Sequence, residues 1–141
     1  MRHKGMTLQV EVGDIDLGHR FYAALFGRDP DFEPHRSFLE WQVLEGVELW
    51  WQVVGVTGGV APIATRTRFL VDDVRAAADG VRRRLGVEPS PVTTLPGVVS
   101  FTDFEDPWGN RIGYYEDIVP SGQQPEPGGS VHDEAMYEAD A

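Results

Sequence analysis

The chain has 141 residues, 12 basic and 23 acidic side chains for a net charge of −11, and no cysteine. That length suits one compact domain. The missing cysteines exclude disulfides, thiol nucleophiles and cysteine-ligated zinc, and the acidic balance argues against nucleic acid, whose phosphates need clustered positive charge. No apolar run approaches the roughly 18 residues of a membrane helix, and no signal-peptide pattern is present, so a soluble cytoplasmic protein is expected, with no membrane partner.

The first predicted strand alternates Leu8, Val10 and Val12 with Thr7, Gln9 and Glu11, giving one apolar and one polar face. A helix follows. Asp14 and Asp16 suit its N-terminus, Phe21, Tyr22, Leu25 and Phe26 its buried face, and Gly27 its left-handed end. Asp29 to Pro34 holds two prolines and is expected to be an edge strand or an irregular piece. Strands are predicted over Ser37 to Leu44 and Val47 to Val54, joined by Glu45-Gly46. In the second, Trp51 shares the apolar face with Leu49 and Val53, while Glu48, Trp50 and Gln52 share the other.

The pattern then begins again. LQVEVGDIDLGHRFYAALFG (Leu8 to Gly27) overlays TRFLVDDVRAAADGVRRRLG (Thr67 to Gly86) without a gap, at a constant offset of 59. In the second copy Asp72 and Asp73 cap a helix that buries Val74, Ala77, Ala78, Val81 and Leu85 and ends at Gly86. Arg82 to Arg84 form a solvated face favoured by the C-terminal dipole. The strand before this helix turns Thr67, Phe69 and Val71 inward and Arg66, Arg68 and Leu70 outward. Strands over Val87 to Leu95, Val98 to Phe104 and Arg111 to Glu116 follow, the last two joined by the turn sequence EDPWGN. Arg111, Gly113 and Tyr115 share a face.

The fold class is therefore α+β, strand–helix–three strands written twice. One domain spans residues 1–118, with modules at about 6–55 and 65–117. The tail, 119–141, carries Glu126, Asp133, Glu134, Glu138 and Asp140 and no Lys or Arg, which leaves the body with 18 acids against 12 bases. Its composition predicts disorder.

Two readings of the polar strand faces stand side by side. They are the solvent side of an antiparallel sheet, or they enclose a pocket with aromatic walls and a few polar groups. Thr7, Gln9, Glu48, Trp50, Gln52, Arg66, Arg68, Trp108, Arg111 and Tyr115 would line it, with Phe101 or Phe38 completing the wall. No glycine-rich phosphate loop or nucleophile elbow is present.

The duplicated unit, with FYAALFG closing the first helix and DPWGN before the last strand, resembles the vicinal oxygen chelate superfamily of glyoxalase I, extradiol dioxygenases and bleomycin-resistance proteins. The resemblance covers about Met6 to Asp117 and implies two βαβββ modules whose mixed, curved sheets enclose a cleft. The modules pair within one chain or are exchanged between chains of a homodimer. Catalytic members hold a divalent metal with His, Glu, His and Glu. The corresponding positions here are Thr7, Glu48, Arg66 and Gly113, so one of four ligand types survives. Arginine has no lone pair to give, and glycine has no side chain. His3, His19, His35 and His132 lie elsewhere.

The expectation is a protein without a cofactor that binds an aromatic or anionic small molecule, as the bleomycin-resistance proteins sequester an antibiotic. An Arg66–Glu48 ion pair, or an anion held by Arg66 and Arg68, would follow. The alternative is an enzyme of lyase, isomerase or dioxygenase type, metal-free with Glu48 or Glu11 as base, or with an atypical metal site.

Overall fold

The computed structural model describes residues 1–120. The expected disordered tail falls almost wholly on 121–141, outside the described residues. Ten elements follow in order: β1 (Met6–Val12), α1 (Ile15–Phe26), β2 (Phe32–His35), β3 (Phe38–Gln42), β4 (Leu49–Gly55), β5 (Arg68–Leu70), α2 (Val74–Leu85), β6 (Thr93–Leu95), β7 (Val99–Glu105) and β8 (Arg111–Asp117). They form two four-stranded sheets, β1-β4-β3-β2 and β5-β8-β7-β6. In each, the first strand pairs parallel with the last, β1 with β4 and β5 with β8, and the other pairs are antiparallel. Neither helix is long and apolar enough to cross a membrane.

Both helices start and stop where local chemistry requires. The Asp14 carboxylate accepts from the backbone N–H of Asp16 and Leu17, and Asp73 does the same for Arg75 and Ala76. These bonds satisfy donors that a helix start leaves unpaired. Gly27 and Gly86 close the helices at φ 72° and 65°, a conformation that disfavours side chains with a Cβ. The prolines confine strand structure as expected. β2 is an exposed edge with an irregular register, and of Val87 to Leu95 only Thr93–Leu95 is a strand.

The strand parities hold. Val10, Val12, Leu39, Trp41, Trp51 and Val53 of the first module are buried in one cluster with Val74, Val81, Phe104, Ile112 and Tyr114 of the second. Phe69 joins them, its ring 6.0 Å from that of Phe26 and 5.9 Å from that of Trp51. Helix α1 packs against α2. The apolar sides of the two modules thus face each other, and their polar faces turn outward. The sheets are not closed on one another.

What fixes this arrangement is the EDPWGN turn, whose Asp106 and Asn110 are buried. One Asp106 oxygen accepts from the backbone N–H of Trp108 and Asn110. The other accepts from the Tyr22 hydroxyl of α1 at 2.6 Å and from Asn110 Nδ2 at 2.7 Å. Asn110 Nδ2 also donates to the Glu11 carbonyl of β1, and its Oδ1 accepts from the Ile63 N–H in the connection between modules. Burial, then the neighbouring Asp106 charge and hydrogen bond, push the Tyr22 hydroxyl pKa far above its ordinary value. Burial also raises that of Tyr114.

Two outcomes follow. Tyr22→Phe removes a donor from a buried carboxylate and should cost about 1.5–3 kcal/mol in urea unfolding; a loss below about 0.5 kcal/mol would show that the contact does not hold the modules. Above about pH 10 the unfolded chain releases tyrosine protons that the folded chain keeps on Tyr22 and Tyr114. Stability should therefore fall as pH rises through that range, less steeply in Tyr22→Phe.

Candidate functional site

The register of each ladder sets which side chains stand beside one another on the outward faces. On the first sheet, Thr7, Trp50 and Gln42 form one row, and Gln9, Gln52 and Glu40 the next. Gln9 Nε2 donates to Gln52 Oε1 at 3.4 Å, and Gln52 Nε2 donates to Glu40 Oε1 at 2.7 Å. Trp50 is half-buried on this face, and Trp51 is fully buried on the other. Glu48 lies one step outside β4, exposed, and its carbonyl accepts from the Met6 N–H. Thr7 stands beside Trp50, whereas Glu48 is placed against Gly5. Glu11 is already engaged, its carboxylate accepting from the Ala61 N–H at 2.8 Å.

The second sheet repeats the plan with different chemistry. Gln9 corresponds in the repeat to Arg68, which stands in a row with Gly113 and Asp103. Arg68 Nε and Nη2 donate to the two Asp103 oxygens at 2.9 and 2.7 Å. The guanidinium carbon lies 3.9 Å from the centroid of the Phe101 ring. With side-chain exposures of 17% for Arg68 and 24% for Asp103, this pair is better shielded than an ordinary surface pair. Tyr115 stands beside Leu70 and Phe101, and Arg111 beside Glu105. A hollow of about 310 Å³ opens here, lined by Ser90, Asp103, Phe104, Glu105 and Arg111. A larger one, about 490 Å³, lies along α1 and borders none of these residues.

Within one chain, then, the predicted site residues form two groups on two outward faces. Thr7, Gln9, Trp50 and Gln52 belong to the first sheet, with Glu48 just before β4, and Arg68, Arg111 and Tyr115 belong to the second, with Arg66 two residues before β5. Trp108 belongs to neither face. It packs at the junction, its indole close to Gly13. Among the described residues the expected Arg66–Glu48 pair does not form: Glu48 precedes β4 in the first module and Arg66 precedes β5 in the second, and the pair found on the second sheet is Arg68–Asp103. Two residues escaped the sequence reading. Asp103 lies two residues from Phe101 in a strand, so strand parity puts it on Phe101's face, and Glu40 is placed likewise by Phe38. Parity alone would have found both.

A divalent metal fits these residues poorly. At Gly113 a Cβ would overlap Asp103 Oδ1 and lie 2.6 Å from the Thr102 carbonyl oxygen and 2.9 Å from Arg68 Cγ. The space a fourth carboxylate ligand would use is filled by the Arg68–Asp103 pair, and the neighbouring donor is a cation. Among the described residues no group of three or more His, Cys, Asp or Glu converges.

The sequence matches no family model and no curated protein. Solved structures do match. A glyoxalase/bleomycin resistance protein from Catenulispora acidiphila is 27% identical, with TM-score 0.63, over 81% of this chain and 98% of its own. TnmS3, an antibiotic binding protein from Streptomyces sp. CB03234, is 24% identical, with TM-score 0.66, over 83% and 97%. A glyoxalase-related enzyme from Fulvimarina pelagi is 19% identical, with TM-score 0.65, over 94% and 99%. The chain thus has the fold of the glyoxalase/bleomycin resistance proteins, which supports the resemblance to the vicinal oxygen chelate superfamily.

The crowding at Gly113 is testable. Gly113→Ala should destabilise the protein by about 1–3 kcal/mol in urea unfolding, because backbone as well as side chain must shift. A neutral substitution would show that the row is looser than described.

Proposed function

We propose that this protein binds a flat, partly aromatic small molecule, an antibiotic or a compound like one, without a metal, in clefts shared between two copies of the chain in the cytoplasm. The observation that carries this reading is the pair of outward faces. One offers Trp50 among the amides Gln9, Gln42 and Gln52 and the acids Glu40 and Glu48. The other offers Phe101 and Tyr115 among the bases Arg66, Arg68 and Arg111 and the acids Asp103, Glu105 and Asp117. Aromatic walls with a few polar groups suit a small flat ligand, but each face alone is half a pocket.

The helix-side packing keeps the two faces apart within a chain, so the first face needs a second-module face from another copy. Charge is compatible with that pairing: the second face balances its arginines with Asp103, Glu105 and Asp117, whereas two first-module faces would set acids against acids. A twofold dimer makes two such clefts. Antibiotic binding by TnmS3, a structure of the same fold, adds support for the ligand class. An enzymatic reading would rest on Glu48, whose exposed carboxylate no other side chain orients among the described residues, which favours binding over turnover.

Subunit mixing tests the shared cleft. N-phenyl-1-naphthylamine, a neutral flat aromatic that fluoresces on leaving water, serves as probe. Trp50→Ala and Tyr115→Ala each remove one wall and should weaken binding about tenfold. In a heterodimer of the two variants one cleft has both walls and the other has neither, so about half the wild-type sites should return. No recovery, or a monomer in solution, would overturn the shared cleft.

Metal content tests the rest. Protein purified without a metal-affinity tag, then dialysed against Zn, Ni, Mn or Fe(II), should hold less than about a tenth of an equivalent. One tight equivalent, lost in Glu48→Ala, would overturn the metal-free reading.

A further inference from the structure

The Arg68–Asp103–Gly113 row is more elaborate than a surface ion pair requires. Four features converge on it. The carboxylate holds the guanidinium through two parallel bonds, which fixes its plane. Phe101 supports one face of that plane. Both partners are about four-fifths covered. The residue beneath them is glycine, where even a methyl group would collide with both. A pair serving only to neutralise charge needs neither the ring nor the glycine.

The repeat supplies the contrast. The equivalent row of the first module holds Gln9, Gln52 and Glu40, joined by neutral amide donors. Only the second module places a cation there. Its neighbour in the row, Gly113, is the position where the resemblance would have the chain contribute a carboxylate to a metal. Asp103 occupies Nε and Nη2, which leaves Nη1 for an incoming acceptor. On this face Arg66, Arg68 and Arg111 are balanced by Asp103, Glu105 and Asp117, so its net charge does not repel an anion.

We propose that Arg68 is a fixed cationic anchor in place of the metal, binding the anionic oxygen of the ligand through Nη1, with Asp103 and Phe101 as positioning residues and Gly113 as the clearance that lets the pair form. The ligand class narrows accordingly, to aromatic compounds bearing one sulfonate, carboxylate or phenolate oxygen beside the ring. This inference rests on the cleft proposed above.

The test compares two probes that differ in one group: 8-anilinonaphthalene-1-sulfonate and neutral N-phenyl-1-naphthylamine. The wild-type protein should bind the sulfonate about tenfold more tightly. Arg68→Gln combined with Asp103→Asn removes both charges while keeping polar side chains in the row. It should abolish that preference, bringing the two probes' affinities within about twofold of each other. Arg68→Lys keeps the charge but not the fork, and should reduce the preference severalfold even if the double variant fails to fold.

Equal wild-type affinity for the two probes overturns the anchor. So does a preference that survives in the Arg68 variants, or one that is lost instead in Arg66→Gln or Arg111→Gln. Binding of neither probe to the wild-type protein removes the cleft itself, and the anchor with it. The two failures are therefore distinguishable.

Discussion

A buried carboxylate must be fully hydrogen-bonded or it destabilises the fold that surrounds it. Asp106 meets that requirement with four donors, and one of them, Tyr22, comes from the other module. Asn110 extends the same network to β1 and to the connection between modules. Removing any member leaves a buried polar group short of a partner, so the network admits few alternative arrangements of the modules. The mutual orientation of the two sheets depends on it, and through that orientation so does everything the outward faces do.

Apolar packing alone would not have been so selective. Phe26, Trp51 and Phe69 meet across the module boundary at ring distances near 6 Å, and such contacts tolerate rotation and sliding. Hydrogen bonds to Asp106 do not, because their strength falls steeply with angle. Apolar burial drives the modules together, and the polar network chooses how they meet. The consequence is a chain that hides its two apolar sides and presents two unlike polar faces.

Those faces share a plan and differ in chemistry. Duplication leaves equivalent rows, Gln9–Gln52–Glu40 and Arg68–Gly113–Asp103. Within the second, three residues depend on one another. Arginine needs an acid partner when shielded from water, the pair needs space, and glycine provides it. A metal site would need the opposite: donors with lone pairs and no resident cation. The row is therefore consistent as built, and its members do not behave as isolated replacements of metal ligands.

Much of this was legible in the residues themselves. The repeat, the capping aspartates, the closing glycines and the period of two in Leu8-Val10-Val12 and Leu49-Trp51-Val53 are local signals. Local signals determine which segments form elements and which face each presents to the core. The prolines at 89 and 91 shortened β6 for the same local reason. What lay beyond the sequence was long-range. The pairing of Arg68 with Asp103 rather than Arg66 with Glu48, the position of Trp108 at the module junction and the division of the site residues between two outward faces all depend on β-ladder register and on module orientation. Register is decided by strands distant in the chain, and orientation by a buried network whose members span Glu11 to Asn110. Neither leaves a periodic trace in the sequence, because hydrogen-bond geometry between remote segments exists only once the chain has folded.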